Sequence, residues 1–478
     1  MTSPAPLTPD GGPWPPRAGA PASYVPMYGP EFEDDPTAFY RGMREKYGPV
    51  VPVEVDERGG FRGWLVLGHR EQLEILNNRS GLFTHDSRWW RDQVEGRVPD
   101  HPLVQQTERR RNMFSTDGTE HQRLRSPIDQ ALAGLHPEHT HGYVDHLADQ
   151  LIDAFPAFGP VDIVAWYAQP LPMLVMMGLL GMPEERATAV SQTVLEIVQA
   201  GPGAAAAARR MDELMREQVE EKLKAPGADL TSWLIAQYGT GVFDPDEVAD
   251  QVRLLLQGGL GPTSAWIAAT LLRLVTDDRL RGDVEKGVVT LADANNRVLW
   301  DDPPVHNVFM NWATAPTTLG QYEIGAGDLV IVSMAGSGTD PAVRPVDEEA
   351  LRASRAHLAW GAGQHACPAQ DLGSMIVEAA VRRLLHRMPA LRLAIDERDV
   401  VWGPSYVVRM PVELPLMSPT RVPASGAAEP PAFMAFPAAP GAPQQFVAPP
   451  VGPPPGADDA AGGQQPRWRA LSTWFLRK

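Results

Sequence analysis

HLAWGAGQHACPA, residues 357–369, is the stretch on which the reading of this chain turns. It contains Cys367, the single cysteine among 478 residues. One cysteine forms no internal disulfide, so its sulfur either packs as a small hydrophobe or does chemistry. The neighbours favour chemistry. Gly361 and Gly363 lie just upstream, where they allow a tight turn and a close approach to a flat ligand. Pro368 follows and has no N–H. Apolar residues at helical spacing begin just beyond, at Leu372, Met375, Ile376, Ala379 and Ala380. The thiol is therefore expected on a glycine loop entering a helix, where unpaired N–H groups and the helix dipole favour a thiolate.

A cysteine thiolate in such a setting is one of the standard ways of holding haem iron. With Trp360, Gly363, His365 and Cys367 on its frame, the stretch resembles the haem loop of the cytochrome P450 family, Phe-x-x-Gly-x-His-x-Cys-x-Gly. Trp stands for Phe, and Ala369 for the last Gly. The resemblance implies haem b (iron protoporphyrin IX) as cofactor and Cys367 as axial ligand of its iron. Gly361 and Gly363 would shape the loop that cradles the cofactor.

Composition sets limits on other readings. The formal net charge of −17 argues against nucleic-acid binding by the fold as a whole. No apolar run approaches the ~20 residues of a membrane span, and the N-terminus lacks the order of a secretory signal. A cytoplasmic location is expected, and an unpaired thiol fits a reducing compartment. The length suits one large enzyme domain with a tail.

Residues 1–30 are rich in Pro, Gly and Ala and read as an extended lead-in. Strands are expected over 50–55 and 63–67, with helices from Pro36 and over 71–77. The charged stretch 88–114, with Arg109, Arg110 and Arg111, reads as a solvated loop rather than a nucleic-acid patch. His121 and Arg125 fall four apart on one face of an expected helix. By resemblance, that pair and His365 hold the haem propionates. The apolar run 171–180 reads as a buried helix, and 246–277 is the longest helical pattern. The resemblance makes that last helix the one crossing the haem face, and 401–415 the closing hairpin. The fold expected is mainly α with small β-sheets, a single large P450 haem domain over 31–418.

Two family motifs are rewritten. The central helix usually reads Ala-Gly-x-Asp/Glu-Thr, an acid and an alcohol that relay protons. Here Gly258-Gly259-Leu260-Gly261-Pro262-Thr263 puts Gly261 at the acid and Pro262 at the alcohol. Thr263 could substitute only after a shift of one residue. A mid-helix Pro costs ~3 kcal/mol and each Gly ~1 kcal/mol relative to Ala, so a kink or opening is expected near Gly259. The next helix usually carries Glu-x-x-Arg. Here Arg297 and Trp300 occupy those positions, and Glu349 falls where a loop arginine would complete the cluster. Arg297 reads as simply solvated, and a swapped Arg297–Glu349 pair is the alternative that could restore the link between helix and loop. Asn311 stands where the family places a propionate-binding arginine. Loss of both motifs resembles a small actinobacterial group of P450s, encoded in recurring operons beside a sensor-like kinase and a small GTPase.

Beyond the haem domain, 419–466 is expected to be a disordered Pro/Ala-rich linker. Residues 467–478 form a short basic aromatic segment in which Trp468, Leu471 and Phe475 share a helical face. That segment either folds back on the acidic body or docks on a protein partner or an anionic membrane surface. The expected function is monooxygenase-type oxidation of a small organic molecule, with electrons from a ferredoxin-type partner. Two alternatives stand beside it: a haem-binding sensor or scaffold in a signalling complex, and a peroxide-using haem enzyme.

Overall fold

The structure is a computed structural model. It describes residues 7–424, apart from 18, 20, 22, 99–103, 105–106, 157, 199–202, 239–243 and 404–405. The expected linker and terminal aromatic segment lie almost wholly outside the described residues. The chain forms two compact units. One comprises Met1–Arg125, Ala292–Gln370 and Trp402–Met410; the other comprises Ser126–Leu291, Asp371–Val401 and Pro411–Lys478.

The first unit is built on a six-stranded mixed sheet. Its order is Val25–Pro26, Val50–Glu54, Arg62–Val66, Leu329–Ser333, Asn307–Ala313, Phe83–Thr84. The expected strands are present within a residue or two. Val50 pairs antiparallel with Val66, and Trp64 pairs parallel with Val330. Val50–Val53 and Leu329–Ser333 are buried along their whole length, as β-branched runs covered on both faces should be. The helix Pro36–Tyr47 starts on Asp35, whose carboxylate accepts the Ala38 N–H at 2.9 Å, and ends at Gly48 with φ 89°. Phe32, Tyr40, Phe61, Trp90 and Trp312 fill the core beside the sheet.

The lead-in differs from expectation. Val25–Pro26 adds a parallel strand beside Val53 and Glu54, and Met27 is fully buried. Arg17 pairs with Asp92 and Glu95 at 2.8 and 3.0 Å, and Trp14 meets Trp89 edge-on. These anchors fold the described part of residues 7–30 onto the unit. In the charged stretch that follows, Arg88 and Arg109 pair with Asp86, and Arg97 pairs with Asp92. These charges are paired locally, in keeping with a solvated loop.

The helix Leu291–Asp301 shows how the second rewritten motif is accommodated. Trp300 is fully buried, and its indole N–H donates to the Ser354 carbonyl at 3.0 Å. The Asn296 amide donates to the carbonyls of Arg352 and Ser354, both at 2.9 Å. His357 Nε2 meets Asn296 Oδ1 at 2.9 Å. Neutral donors and an aromatic thus do the linking that charges do in the family pattern. Arg297 is neither simply solvated nor paired with Glu349. Arg297 bonds Asp301 at 2.6 Å and pairs with Glu348, because the short helix Glu348–Ala353 turns Glu348 toward it.

The second unit is mainly helical, with a small sheet of Arg392–Leu393, Pro415–Met417 and Val161–Asp162. Pro170–Leu179 is a buried helix, as expected. It packs on the long helix Pro245–Thr276, as do Ala204–Lys224 and Leu230–Tyr238. That long helix runs without a break through Gly258, Gly259, Gly261 and Pro262, so the opening expected near Gly259 is absent. Packing outweighs local propensity here: Val252, Leu256, Leu260 and Ala265 are all buried. Gly259 also has a positive use, since a Cβ there would lie 2.8 Å from Met176 of the neighbouring helix. At the end of the unit, Val422 N–H donates to Arg387 O at 2.8 Å, and Arg421 reaches the carbonyls of Phe155 and Pro156. The folded body therefore continues past Ser418 to Val422. No helix among the described residues is long and apolar enough to cross a membrane.

Candidate cofactor site

The Cys367 loop is shaped by its own main chain. Gly361 and Gly363 both have φ +68°, a region that L side chains rarely adopt. A Cβ on Gly363 would lie 2.1 Å from the Leu76 carbonyl oxygen, so only glycine fits. Gly363–His365 makes one 3-10 turn, and the Cys367 N–H closes the loop on Trp360 O at 2.8 Å. Arg125 supports the turn from outside, donating to the carbonyls of Gln364 and Ala366 at 3.2 and 2.8 Å. The helix Gln370–Arg387 begins three residues after the cysteine.

Cys367 is exposed, yet desolvation by the surrounding protein raises its thiol above the ordinary value. Exposure combined with desolvation is what a group on the floor of a recess experiences. The Ala369 N–H and the Arg125 charge pull the other way and do not prevail. The backbone N–H at the helix side thus favours the thiolate while burial opposes it.

Beside the loop lies a cluster of histidines. His85 and His365 stack in parallel, with centroids 3.8 Å apart and planes at 5°, and His121 tilts against His365 at 4.4 Å. Burial, followed by the nearby His365, pushes His85 down to about 3, so it is neutral. Asp117 organises the group. Its carboxylate accepts from Thr84 Oγ1 at 2.6 Å, from the His85 N–H at 2.9 Å and from the Gln364 amide at 3.2 Å, and it meets His365 Nε2 at 3.2 Å. Burial would raise this carboxyl, but the bonds from His365 and Thr84 outweigh it and hold it at about 2. A small recess opens here between Leu76, Phe83, His85, Asn311 and His365. The Asn311 amide nitrogen is buried and has no partner among the described residues. These residues do not form a metal-binding group.

The structure thus gathers Gly361, Gly363, His365, Cys367, His121 and Arg125 in one unit. A soft sulfur ligand, a cationic guanidinium, imidazoles and an orphaned amide N–H suit an iron porphyrin carrying carboxylates. His85 and Asp117 were not singled out from the sequence. An aspartate just before an expected helix start was the available signal for Asp117; His85 had none.

Gly261, Pro262 and Thr263 lie in the other unit. Along the long helix, Gln257 and Gly258 are exposed, Gly259, Gly261 and Pro262 are half-buried, and Leu260 and Thr263 are buried. Thr263 is therefore off the open stripe, and the unbroken helix does not shift it there.

Comparison with known proteins decides the family. The chain is 30% identical over 365 residues to nocardicin C N-oxygenase of Nocardia uniformis subsp. tsuyamanensis, covering 74% of this chain and 89% of the relative. It is 29% identical to 6-deoxyerythronolide B hydroxylase of Saccharopolyspora erythraea, covering 79% and 94%. Among solved structures, the P450 CYP154C4 from Streptomyces sp. W2061 superposes with a TM-score of 0.75 at 26% identity, covering 82% of this chain and 97% of that one. The chain belongs to the cytochrome P450 family. No family model matches it. As a P450, it has the mainly α fold with small sheets, takes haem b, and is a monooxygenase-like enzyme.

Proposed function

We propose that this P450 oxygenates a small organic molecule of the secondary-metabolite kind, using electrons from a ferredoxin-type protein. The observation that carries the reading is the exposed Cys367 on a loop that only glycines at 361 and 363 allow. The named relatives act on nocardicin C and 6-deoxyerythronolide B, which supports a substrate of that general kind. In this reading Cys367 would hold the haem iron through its sulfur. The Ala369 N–H and Arg125 offset part of the burial cost of its charge. His121, Arg125, His365 and the Asn311 amide receive the haem carboxylates, and Asp117 orients His365. Haem supplies the oxygen-activating chemistry when bound.

The stretch 258–263 lines the substrate side in the same reading. Gly261 and Pro262 have no group that can hold or move a proton, and Thr263 is buried. Proton delivery by side chains at these positions is therefore missing, and dioxygen-driven turnover should be poorly coupled. This same absence favours a second reading, in which the enzyme uses peroxide and depends less on proton relay. The test is turnover of a panel of polyketide-like and aromatic substrates, with ferredoxin, reductase and dioxygen in one arm and peroxide in the other. Product in the first arm with excess peroxide release supports the main reading. Product with peroxide alone supports the second. Tight coupling of electrons to product contradicts the assignment of 258–263.

A further inference from the structure

We propose that the recess beside the Cys367 loop takes one haem carboxyl in its protonated form. Its O–H donates to His85 Nε2, and its second oxygen accepts the Asn311 amide N–H. The proposal rests on the cofactor reading above and adds a protonation state to it. The walls include His85, Asn311, Asp117 and the apolar Ile75, Leu76 and Phe83, all in the first unit. Asn311 is 2% exposed, and its Nδ2 is buried without a partner among the described residues. His85 Nδ1 lies 2.9 Å from the Phe114 carbonyl oxygen. A carbonyl only accepts, so the ring proton is on Nδ1, and Nε2 of the neutral ring is an acceptor. One donor and one acceptor on neighbouring side chains match a carboxylic acid, which brings one of each.

The same recess is set against a bare carboxylate. Its apolar walls remove a bound group from water, which disfavours charge. Asp117 already stands there ionised: burial opposes its charge, but the bonds from His365 and Thr84 outweigh burial. A second carboxylate beside it would be repelled. The groups that could offset that repulsion are engaged elsewhere. His365 turns Nε2 to Asp117 at 3.2 Å, and His121 tilts against His365. Arg125 gives Nη1 to the carbonyls of Gln364 and Ala366. Burial, followed by the nearby His365, keeps His85 neutral. The Gln364 amide donates to Asp117, and the Asn78 side chain bonds the main chain of Phe83 at 2.6 and 3.1 Å. A haem carboxyl in water is ionised at neutral pH, so it takes one proton from solvent on entering the recess.

The experiment is an isotope-edited infrared spectrum of the haem-loaded protein at neutral pH, with haem carrying carbon-13 in its two carboxyl carbons. The difference between labelled and unlabelled protein reports those two groups apart from every Asp and Glu. The wild type should show the C=O band of one carboxylic acid beside the carboxylate bands of the other group. His85→Phe keeps a flat ring against His365 but removes the acceptor. Asn311→Arg brings a cation into the recess and favours the carboxylate. In both variants the acid band should vanish and both groups should read as carboxylates, while the Soret band shows that haem is retained. Should His85→Phe shed its haem, Asn311→Arg carries the test by itself. Two carboxylates in the wild type, or an acid band that persists in a haem-loaded variant, overturns the proposal. A wild type with no Soret band sinks the cofactor reading instead, and the proposal falls with it.

Discussion

The Cys367 loop and the 258–263 stretch are both glycine-rich, but the glycines work under different constraints. At Gly363 the backbone is left-handed and the Leu76 carbonyl occupies the space of a side chain. At Gly258 the backbone is helical and the space beside it is empty. The loop keeps the family frame because its geometry admits little else. The helix tolerates rewriting because neighbouring helices hold it, whatever lines its open stripe. The helix Leu291–Asp301 lies between these cases: its charges are gone, but Trp300 and Asn296 still tie it to the 352–357 segment. A fold can thus lose a motif's charges while keeping the linkage.

The sharpest way to break this comparison is a pair of substitutions. Gly363→Ala should destabilise the haem-loaded protein by on the order of 2–6 kcal/mol, from backbone strain plus overpacking. Gly258→Ala should leave stability unchanged or raise it by about 0.5–1 kcal/mol. Denaturant unfolding of both checks this, and equal effects would erase the distinction. Next in size, Trp300→Ala should cost about 3–5 kcal/mol as a fully buried aromatic. A loss below about 1 kcal/mol would show that Trp300 does not replace the ion-pair cluster.

His357 gives the same linkage a pH signature. Burial, with Arg355 nearby, pushes its imidazole down to about 4. The folded state therefore holds it neutral while the unfolded chain protonates near 6.5. Its contribution is fully present above about pH 6.5 and fades as pH falls toward about 4, by up to about 1.4 kcal/mol per pH unit. Unfolding midpoints of wild type and His357→Gln between pH 7 and 4.5 should converge as pH falls. Parallel curves would remove His357 from the account. The smallest effect concerns Arg297 and Glu348. Glu348 is largely exposed, so a double-mutant cycle should give coupling of about 0–1 kcal/mol. The cycle with Glu349 should give none, and coupling to Glu349 instead would restore the alternative pairing read from the sequence.

Much of the fold was legible because the signals were local. Alternating and continuous apolar runs placed Val50–Glu54, Arg62–Val66 and Pro170–Leu179 to within a residue or two. The Cys367 loop was legible because glycine, proline and cysteine punctuate it. What escaped depends on distant partners. Asp117 meets Gln364 and His365, His85 stacks on His365, and Asn296 bonds the 352–357 segment, and no local pattern names those partners. The unbroken helix at Pro262 escaped because propensity is local and the packing that overrides it is not. Glu348 was missed by one residue, which on a short helix changes the face.

The central claim is that Cys367 binds haem iron as a thiolate on a loop built for it. The direct measurement is the absorption spectrum of the reduced, haem-loaded protein under carbon monoxide, for wild type and Cys367→Ala. The account predicts the thiolate-type Soret band in the wild type and its complete loss in the variant. A wild type without that band, or a variant that keeps it, would contradict the account.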